Sequence, residues 1–428
     1  MATYLTRTFG TPTNATIWTL SFWCKRASNQ SASEKIFSAG TSGTDRTEMY
    51  FASDGQFWIY RNIGGSAAEL GSTPKYRDAN AWYHFVIQNN NGTAAVYVNG
   101  ESVTLSNTTL GTNKINLAST VHKFGEQAAG GQNFFGCLSH VHFADGTIYA
   151  PTVFGSTDSV TGEWSINTSP SFTPGNNGFT ILKDGNTITD QSSNSNNFSL
   201  AGGTLTKTED SPSNVFATLN PLSGSLSNNT LSNGNNTIAV TSGWRWRPST
   251  IAPSSGKYYA EFKPTSGGSI YTVAGVTPQV SWKDIDGEVI GSGANSENKS
   301  VGYQQDGQVK KGNSTQYTGS SYTTNDIIGV ALDLDNHKVY FSKNGTYQNS
   351  GDPTSGATGT GAISLDTTLD DWSISISVAG STTSANYGNG YFGTTAVSSA
   401  GTNASGIGIF EYDVPTGFTA LSTKGLNL

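Results

Sequence analysis

The chain has 428 residues, which is enough for two or three domains that each bury a core. Only 12% of the residues are charged, the net charge is −7, and lysine and arginine form no cluster, which excludes a protein that binds nucleic acid through phosphate contacts. No apolar run approaches the ~20 residues of a membrane-spanning helix, so we expect no membrane insertion.

The first half of the chain alternates between short strand-like runs and turn residues. Aromatic residues make up 11% of the whole chain and glycine contributes 51 residues, a combination that suits strands joined by many tight turns. The regular spacing predicts an antiparallel β-sandwich. The strand-like runs are 17–25, 47–52, 56–61, 82–88, 93–98, 121–125 and 134–143.

The N-terminal stretch and the two cysteines bear on where the protein is made. Residues 1–18 lack the apolar core of a secretory signal, so we expect synthesis in a host cytoplasm. Cys24 and Cys137 lie in strand-like runs and lack metal-ligand spacing. We expect two buried thiols; a disulfide would require neighbouring strands, and the cytosol disfavours it.

Between residues 150 and 240 the chain becomes rich in Ser, Asn and Gly, and strand signals resume from about 240. We predict a first sandwich over 1–205, with 177–185 returning to it as a strand, and a Ser/Asn-rich linker over 206–240. A second sandwich is predicted over 241–395. Residues 396–428 are Gly-rich with few apolar residues, so we expect a segment that docks elsewhere because it cannot form its own core.

Two stretches, 81–100 and 326–345, share one pattern: an apolar strand, a polar turn, a second strand and then Asn-Gly. We interpret each Asn-Gly as a tight turn with positive φ rather than a ligand site. The turn inside the first stretch spans Asn89 to Gly92. For the second stretch we predict a two-residue Asp335-Asn336 loop with positive φ.

The order of motifs carries a family resemblance. The runs "WTLSFWCKR", "AWYHFVIQ", "AAVYVNGE" and "FFGCLSHVHFADG" resemble a laminin-G-like, concanavalin A-like sandwich. The opening "MATYLTRT" with "FGSTDSVTGEW", "NGFTILKD" and "DQSSNSNNF" resembles the version in tailed-phage virion proteins, as does the closing "VPTGFTALSTKGLNL". Between them, "GKYYAEFKP", "VAGVTP", "SVGYQQDGQ", "NDIIGVALDLDNHKVYFSKNG" and "SANYGNGYF" resemble a SPRY domain.

The resemblance implies an all-β fold: two tandem antiparallel β-sandwiches, a concanavalin A-like jelly roll and then a SPRY-like one, with an irregular Gly-rich C-terminal segment. It implies a non-enzymatic virion component, such as a tail fibre, knob or surface appendage, that mediates host-surface glycan attachment or assembly contacts. The expected partners are other virion proteins, further copies of this chain and a host glycan. Two alternatives are a polysaccharide depolymerase on the same scaffold and a purely architectural virion protein without a host ligand.

No constellation in the sequence predicts catalysis. Glycoside hydrolysis needs two carboxylates across a cleft, and the glucanase pattern E-x-D-x-x-E is absent. Glu411 and Asp413 alternate but lie outside the first sandwich and just before Pro415, so we do not expect a catalytic pair. His140 and His142 share a predicted strand face that could suit a metal, but no further ligand stands at matching spacing. For His84 the resemblance implies a structural role in the W-x-H strand.

Tryptophans give the best binding candidates. Trp244 and Trp246 share one face of "GWRWRP" if it is extended, either as an exposed ladder that stacks on sugars or, as we favour, as an interior strand. Trp282, beside Asp284 and Asp286 in "WKDIDGE", could bind a glycan from a loop. The same acids loosely resemble a calcium loop. Calcium ligands cannot be assigned, and no other cofactor is expected.

Overall fold

The computed structural model describes residues 3–27, 33–183, 187–223, 227–266, 271–281, 289–292 and 299–428. The chain divides into two compact units: unit 1 is Met1–Lys207 with Ser211–Ser213, and unit 2 is Thr208–Asp210 with Asn214–Leu428. Each unit is built from antiparallel sheets, which confirms the predicted all-β tandem sandwiches. Within the described residues, no helix is long and apolar enough to span a membrane.

Unit 1 is formed almost wholly by strands. Its described residues contain one short 3₁₀ helix (Pro151–Val153) and the strands β1 (Tyr4–Thr8), β2 (Ile17–Arg26), β3 (Glu34–Ser42), β4 (Asp45–Phe51), β5 (Gln56–Ile63), β6 (Ser66–Lys75), β7 (Trp82–Asn90), β8 (Thr93–Val98), β9 (Glu101–Ser102), β10 (Val121–Phe124), β11 (Gly136–Asp145), β12 (Gly155–Thr157), β13 (Trp164–Ile166), β14 (Phe179–Ile181) and β15 (Ser199–Gly202).

Two sheets of unit 1 enclose its core. The seven-stranded sheet has the order β15-β1-β10-β3-β4-β5-β6, and the six-stranded sheet has the order β14-β11-β2-β7-β8-β9. Alternate residues of each strand point inward. Phe85 of β7 meets Phe57 of the opposite sheet, with ring centroids 4.6 Å apart. Strand β14 pairs with β11, so the stretch predicted to return to the first sandwich does so.

A second layer covers the outer side of the six-stranded sheet. The His84 side chain is fully buried and stacks between Trp23, at 4.8 Å, and Trp164 of β13, at 5.9 Å. Trp164 Nε1 donates to His84 Nδ1 at 2.9 Å, which places the imidazole proton on Nε2 facing Ser21 Oγ, also at 2.9 Å. Burial lowers the pKa of His84 to about 3. His84 is therefore a packed, neutral group.

A buried carboxylate closes one end of unit 1. Asp145, at the end of β11, accepts backbone N–H bonds from Thr13 at 2.6 Å, Asn14 at 3.1 Å and Asn177 at 3.0 Å. It also accepts from Asn116 Nδ2 at 2.7 Å. Because these donors come from three distant segments, one carboxylate fixes three loops to the sheet.

Unit 2 has the same strand-dominated character. Its described residues contain 3₁₀ helices at Gln279–Ser281, Gln348–Ser350, Pro353–Thr358 and Gly425–Asn427 and the strands β16 (Asn229–Ser232), β17 (Thr237–Val240), β18 (Arg245–Arg247), β19 (Lys257–Ser266), β20 (Tyr271–Pro278), β21 (Val301–Gln304), β22 (Gln308–Lys311), β23 (Ser314–Thr318), β24 (Ile328–Asp333), β25 (Lys338–Lys343), β26 (Thr346–Tyr347), β27 (Ile363–Ser364), β28 (Trp372–Ala379), β29 (Thr382–Asn386), β30 (Tyr391–Phe392), β31 (Thr395–Ala396) and β32 (Thr419–Ala420).

Two sheets of unit 2 enclose a separate core. The larger sheet has the order β16-β17-β29-β19-β24-β25-β26, with β27 paired to β25 and β32 paired to β19. The smaller sheet has the order β18-β28-β20-β21-β22-β23. Among the core residues are Phe262 and Val330 from the larger sheet and Val276 and Ile376 from the smaller one.

The stretch 206–240, predicted as a linker, contributes to unit 2 instead. Strands β16 and β17 form the edge of the larger sheet. Phe216 and Leu219 are buried, as are Ile238 and Val240 in "TIAV". The linker prediction is wrong there because a few buried apolar residues are enough to hold an edge strand on the sheet. The many Ser and Asn residues around them made the stretch look like a linker.

The Gly-rich C-terminal segment docks on the outer side of the larger sheet of unit 2. Strand β32 pairs in parallel with β19, and Phe410, Val414 and Phe418 belong to a small apolar cluster that includes Tyr259. The rings of Tyr259 and Phe410 are 5.1 Å apart, edge to face. The segment is thus held by the sheet and not by a core of its own.

Both Asn-Gly turns form as predicted. Their φ angles are 49° and 84° in the first and 48° and 79° in the second, the left-handed pair that matches strand twist. Asn99 donates its N–H to the His84 carbonyl and accepts the His84 N–H on Oδ1. Asn344 makes the same two bonds with Ile327. The two turns are equivalent local solutions in unrelated sheets.

The loop between β24 and β25 is longer than predicted. Asp333 pairs with Lys338 across the hairpin, which leaves a four-residue turn, and the positive φ of 52° falls on His337. The prediction of positive φ at Asp335-Asn336 is wrong. The Asp333 carboxylate accepts the N–H of Asn336 at 3.0 Å and its Nδ2 at 2.8 Å, which stabilises the wider turn.

Candidate functional site

An aromatic face lies on the outer side of the seven-stranded sheet of unit 1. We use this name for Tyr50, Trp58 and Tyr60. Their neighbours along β4 and β5, such as Met49 and Ile59, are buried in the core, so strand alternation directs the three aromatic side chains outward. All three are half-buried. The face therefore presents aromatic surface on a rigid sheet.

Strand register aligns the aromatic face in rows across the sheet. Tyr50 lies opposite Trp58, and Trp58 lies opposite Gly71 of β6. A Cβ atom on Gly71 would be 2.7 Å from the Trp58 indole, a distance that real contacts do not reach. The indole therefore occupies the space over Gly71, and the absence of a side chain there sets its position.

Buried charges support the aromatic face from the neighbouring strands. The fully buried Glu48 carboxylate lies 3.3 Å from Lys35 Nζ and 2.9 Å from Arg46 Nε, as close ion pairs. Lys35 Nζ is also 3.4 Å from the centroid of the Tyr50 ring, and Arg46 is 5.1 Å from that of Tyr60.

These surroundings shift the pKa values of Tyr50 on the face and of Lys35 beside it. Burial lowers the pKa of Lys35, although the carboxylate of Glu48 opposes the shift. Burial, with the nearby Glu69 and Glu48 carboxylates, raises the pKa of Tyr50 to about 12. The Tyr50 hydroxyl is therefore protonated at neutral pH and can donate a hydrogen bond.

A cavity of about 300 Å³ opens beside Trp58. Asp54 accepts the backbone N–H of Gln56 at 3.1 Å and pairs with Lys75 Nζ at 2.9 Å, contacts that lower the pKa of Asp54. Gln56 Nε2 donates to the Ser72 carbonyl at 2.9 Å. The lining residues combine aromatic, hydroxyl, amide and carboxylate groups: Ser33, Tyr50, Ala52, Ser53, Asp54, Gln56, Trp58 and Glu69.

Trp244 and Trp246 belong to unit 2, whereas this site belongs to unit 1. Trp246 of β18 is 1% exposed and packs with Val273 and Ile290, so its ring has no surface for an exposed ladder. Trp244 is half-buried against the same cluster, edge to face with Tyr271 at 6.1 Å. The interior-strand alternative thus describes Trp246. Three further predicted residues, Trp282, Asp284 and Asp286, lie outside the described residues.

The histidine pair does not gather further metal ligands. His140 adopts φ 47° at an irregularity between Ser139 and His142, which breaks the strand alternation that predicted a shared face. The two rings are 6.4 Å apart. Among the described residues, no group of three or more His, Cys, Asp or Glu side chains could hold a metal ion.

The remaining candidates have structural partners. Glu411 accepts hydrogen bonds from the N–H and hydroxyl of Ser398, and Asp413 accepts two from Thr402, so both carboxylates fix turns.

Cys24 is buried in the core, and no disulfide joins it to Cys137. Cys24 lies opposite Leu138, which packs on the core, so adjacent Cys137 points to the other face of the sheet.

The aromatic face was missed in the sequence, although its signal is present. In "EMYFASDGQFWIY", Tyr50, Trp58 and Tyr60 are out of phase with the core residues of the same two strands. An aromatic on the outward phase of two paired strands predicts an aromatic surface. The remaining element, Gly71 on the next strand, is visible only once the register is known.

Comparison with known proteins follows the two units. Residues 3–154 match the family model of the concanavalin A-like lectin/glucanases superfamily, and residues 258–362 match the SPRY domain. No curated protein matches the chain. A heptameric SAP-like pentraxin from Limulus polyphemus is similar at 22% identity, over 35% of this chain and 72% of that one, with a TM-score of 0.28. The SPRY domain of human HERC1 is similar at 18% identity, over 37% and 91%, with a TM-score of 0.29.

Proposed function

We propose that this chain, in which a concanavalin A-like sandwich precedes a SPRY domain, is a non-enzymatic component of a tailed-phage virion that binds host-surface glycan through the aromatic face. The virion assignment is supported by the ordered resemblance of its motifs to phage proteins. The binding assignment is supported by the geometry of unit 1. Both parts are open to separate tests.

The observation that carries the binding proposal is the Trp58 indole held over Gly71 beside a polar cavity. Sugar rings present C–H faces that pack on aromatic rings, while their hydroxyls need hydrogen-bond partners. The Trp58 indole provides the aromatic ring. Hydrogen-bond partners for the hydroxyls come from the Tyr50 hydroxyl, the Gln56 amide and the Glu69 carboxylate.

The charges of the cavity select the class of sugar. Asp54 and Glu69 are the charged residues among the described groups that line it. Lys75 pairs with Asp54, whereas Glu69 is exposed. A carboxylated or sulfated sugar would meet like charge, which disfavours binding. The site therefore suits neutral or amino sugars.

A virion appendage would use this site many times over. A shallow sugar site of this size gives weak single contacts, and symmetric copies of one chain raise the effective affinity by avidity. The expected partners are thus other virion proteins and further copies of this chain, with the glycan as the ligand. Mass spectrometry of purified virions should detect the chain, and its absence from them would reject the virion assignment.

A glycan array tests the binding assignment, with natively assembled full-length protein compared against Trp58→Ala. We expect neutral or amino glycans to bind the wild type and the substitution to abolish the signal. Tyr271→Ala, which removes an aromatic of unit 2 that is 47% exposed, is the matched control and should retain it. Retained binding by Trp58→Ala would overturn the proposed site, and sustained release of reducing ends from a polysaccharide would identify a depolymerase instead.

A further inference from the structure

A second cavity of unit 1, of about 270 Å³, lies on the other sheet. Its floor is formed by His142 of β11 and Thr180 of β14. One wall comes from the loop that carries Phe172, and the other comes from the loop at 191–193. The volume is at the small end for ligand pockets, which suits one sugar ring rather than a larger molecule.

The floor presents a buried polar group to this cavity. His142 is 2% exposed, and its Nδ1 lies 3.0 Å from Thr180 Oγ1. Among the described residues, the hydrogen bond of the His142 ring is this one, and it uses Nδ1. Burial lowers the pKa of His142 well below its usual range, so the imidazole is neutral and one nitrogen is available to a ligand.

The Phe172 wall is fixed by contacts outside the cavity. The Thr173 N–H donates to the Tyr149 hydroxyl at 2.8 Å, and the Asp145 N–H donates to the Pro174 carbonyl at 2.8 Å. The Phe172 ring stands edge to face with His142, with centroids 5.6 Å apart. An aromatic wall therefore meets the imidazole floor in a preformed arrangement.

The opposite wall is fixed by Asp190. Its carboxylate accepts the N–H groups of Thr180 and Ser192 at 2.8 Å and of Asn196 at 2.7 Å. Asp190 itself is not among the residues that line the cavity. Of the described residues that do, only Lys183 carries a charge. The charge that lines this cavity is therefore opposite in sign to the carboxylates that line the cavity beside Trp58.

We infer that this second cavity binds an acidic sugar of the hexuronate class. Lys183 would pair with the sugar carboxylate, Phe172 would contact a C–H face of the ring, and His142 Nε2 would bond a ring hydroxyl. Contacts of the sheet and its loops already hold His142 and the Phe172 loop in place. The inference is independent of the Trp58 site, because the two cavities use different sheets and opposite charges.

Ligand-observed NMR titrations test this inference in the full-length Trp58→Ala chain, which lacks the proposed neutral-sugar site, with methyl glucuronide as the probe and methyl glucoside as its neutral match. We expect glucuronide to bind about tenfold more tightly, since a charge-assisted contact distinguishes the two. Lys183→Met should remove that preference and Phe172→Ala should weaken both sugars. Lys207→Met, which removes a cation elsewhere in the chain, should change neither.

Three results would overturn the inference: no glucuronide binding by the wild type, equal affinity of Trp58→Ala for the two sugars, or unchanged glucuronide affinity when Lys183→Met is added to a folded chain. The Trp58→Ala variant separates this site from the proposed function. It should bind glucuronide like the wild type even though it loses neutral glycans. Loss of glucuronide binding in Trp58→Ala would contradict the independence of the two cavities.

Discussion

The buried carboxylate of Glu261 gives unit 2 a pH-dependent stability that can be measured. Glu261 of β19 is fully buried and accepts the backbone N–H groups of Glu411 and Tyr412, each at 2.9 Å. Tyr259 and Asn386 donate to it at 3.2 and 3.4 Å. The same carboxylate thus holds the C-terminal segment to the sheet. Burial, partly offset by these bonds, raises the pKa of Glu261 from 4.5 to about 7.

The direction of that pKa shift determines whether the free energy of unfolding rises or falls with pH. A raised pKa means that the folded state favours the protonated acid, so this contribution to stability is fully present below pH 4.5 and is lost as the pH rises through 7. The shift corresponds to about 3 kcal/mol between pH 4.5 and pH 8. The phenols that face Glu261, those of Tyr259, Tyr347 and Tyr412, have raised pKa values and stay neutral throughout this window.

Urea unfolding of the full chain, followed by pulse proteolysis, gives the required free energies, with peptides from 257–266 and 407–420 reporting on unit 2. The wild type should lose about 3 kcal/mol from pH 4.5 to pH 8 relative to Glu261→Gln, which has no proton to release. The variant should be less stable at low pH, because its amide nitrogen replaces one of the two acceptor oxygens and leaves a backbone N–H, that of Glu411 or Tyr412, without an acceptor. Parallel pH dependences for the two proteins would refute the reasoning.

Three further predictions concern unit 1. Asp145→Ala should destabilise it by about 3–5 kcal/mol in urea unfolding, since four donors lose their acceptor and two of those hydrogen bonds are buried, whereas Asp158→Ala at an exposed turn should shift the midpoint little. Burial lowers the pKa of His122 to about 3, so its contribution to the free energy of unfolding should fall by about 2 kcal/mol between pH 6.5 and pH 5, measured as the difference between the wild type and His122→Gln; parallel pH profiles for the two proteins would contradict this. Gly71→Ala should tilt the Trp58 indole and weaken neutral-glycan binding although the indole remains, with an unchanged calorimetric affinity as the contrary result.

The sequence allowed the strands and the tight turns to be predicted because both depend on local chemistry. Alternation in β2 and β7 and the two Asn-Gly turns needed only neighbours along the chain. The edge strands β16 and β17 were missed because their burial depends on pairing with β29, which lies about 145 residues further on. The C-terminal segment was correctly expected to dock, but its anchor on Glu261 could not be read from composition.

The candidate site likewise combines features that the local sequence shows with features that depend on strand pairing. Aromatics at Tyr50 and Trp58 are evident in the sequence, but their common face depends on the register of β4 with β5 and of β5 with β6. For Trp246 the sequence left two alternatives, because an alternating Trp-rich strand has the same pattern whether its rings lie inside or outside the fold. Only the position of β18 beside β28 decides that its ring is buried.

The most direct test of the central claim is a calorimetric titration of the natively assembled chain with a neutral oligosaccharide selected on the array. We predict that Trp58→Ala weakens its affinity by about tenfold or more, because the indole supplies the stacking surface at the centre of the site. Tyr271→Ala should bind like the wild type. Equal affinities for wild type and Trp58→Ala, with both proteins folded, would contradict the account.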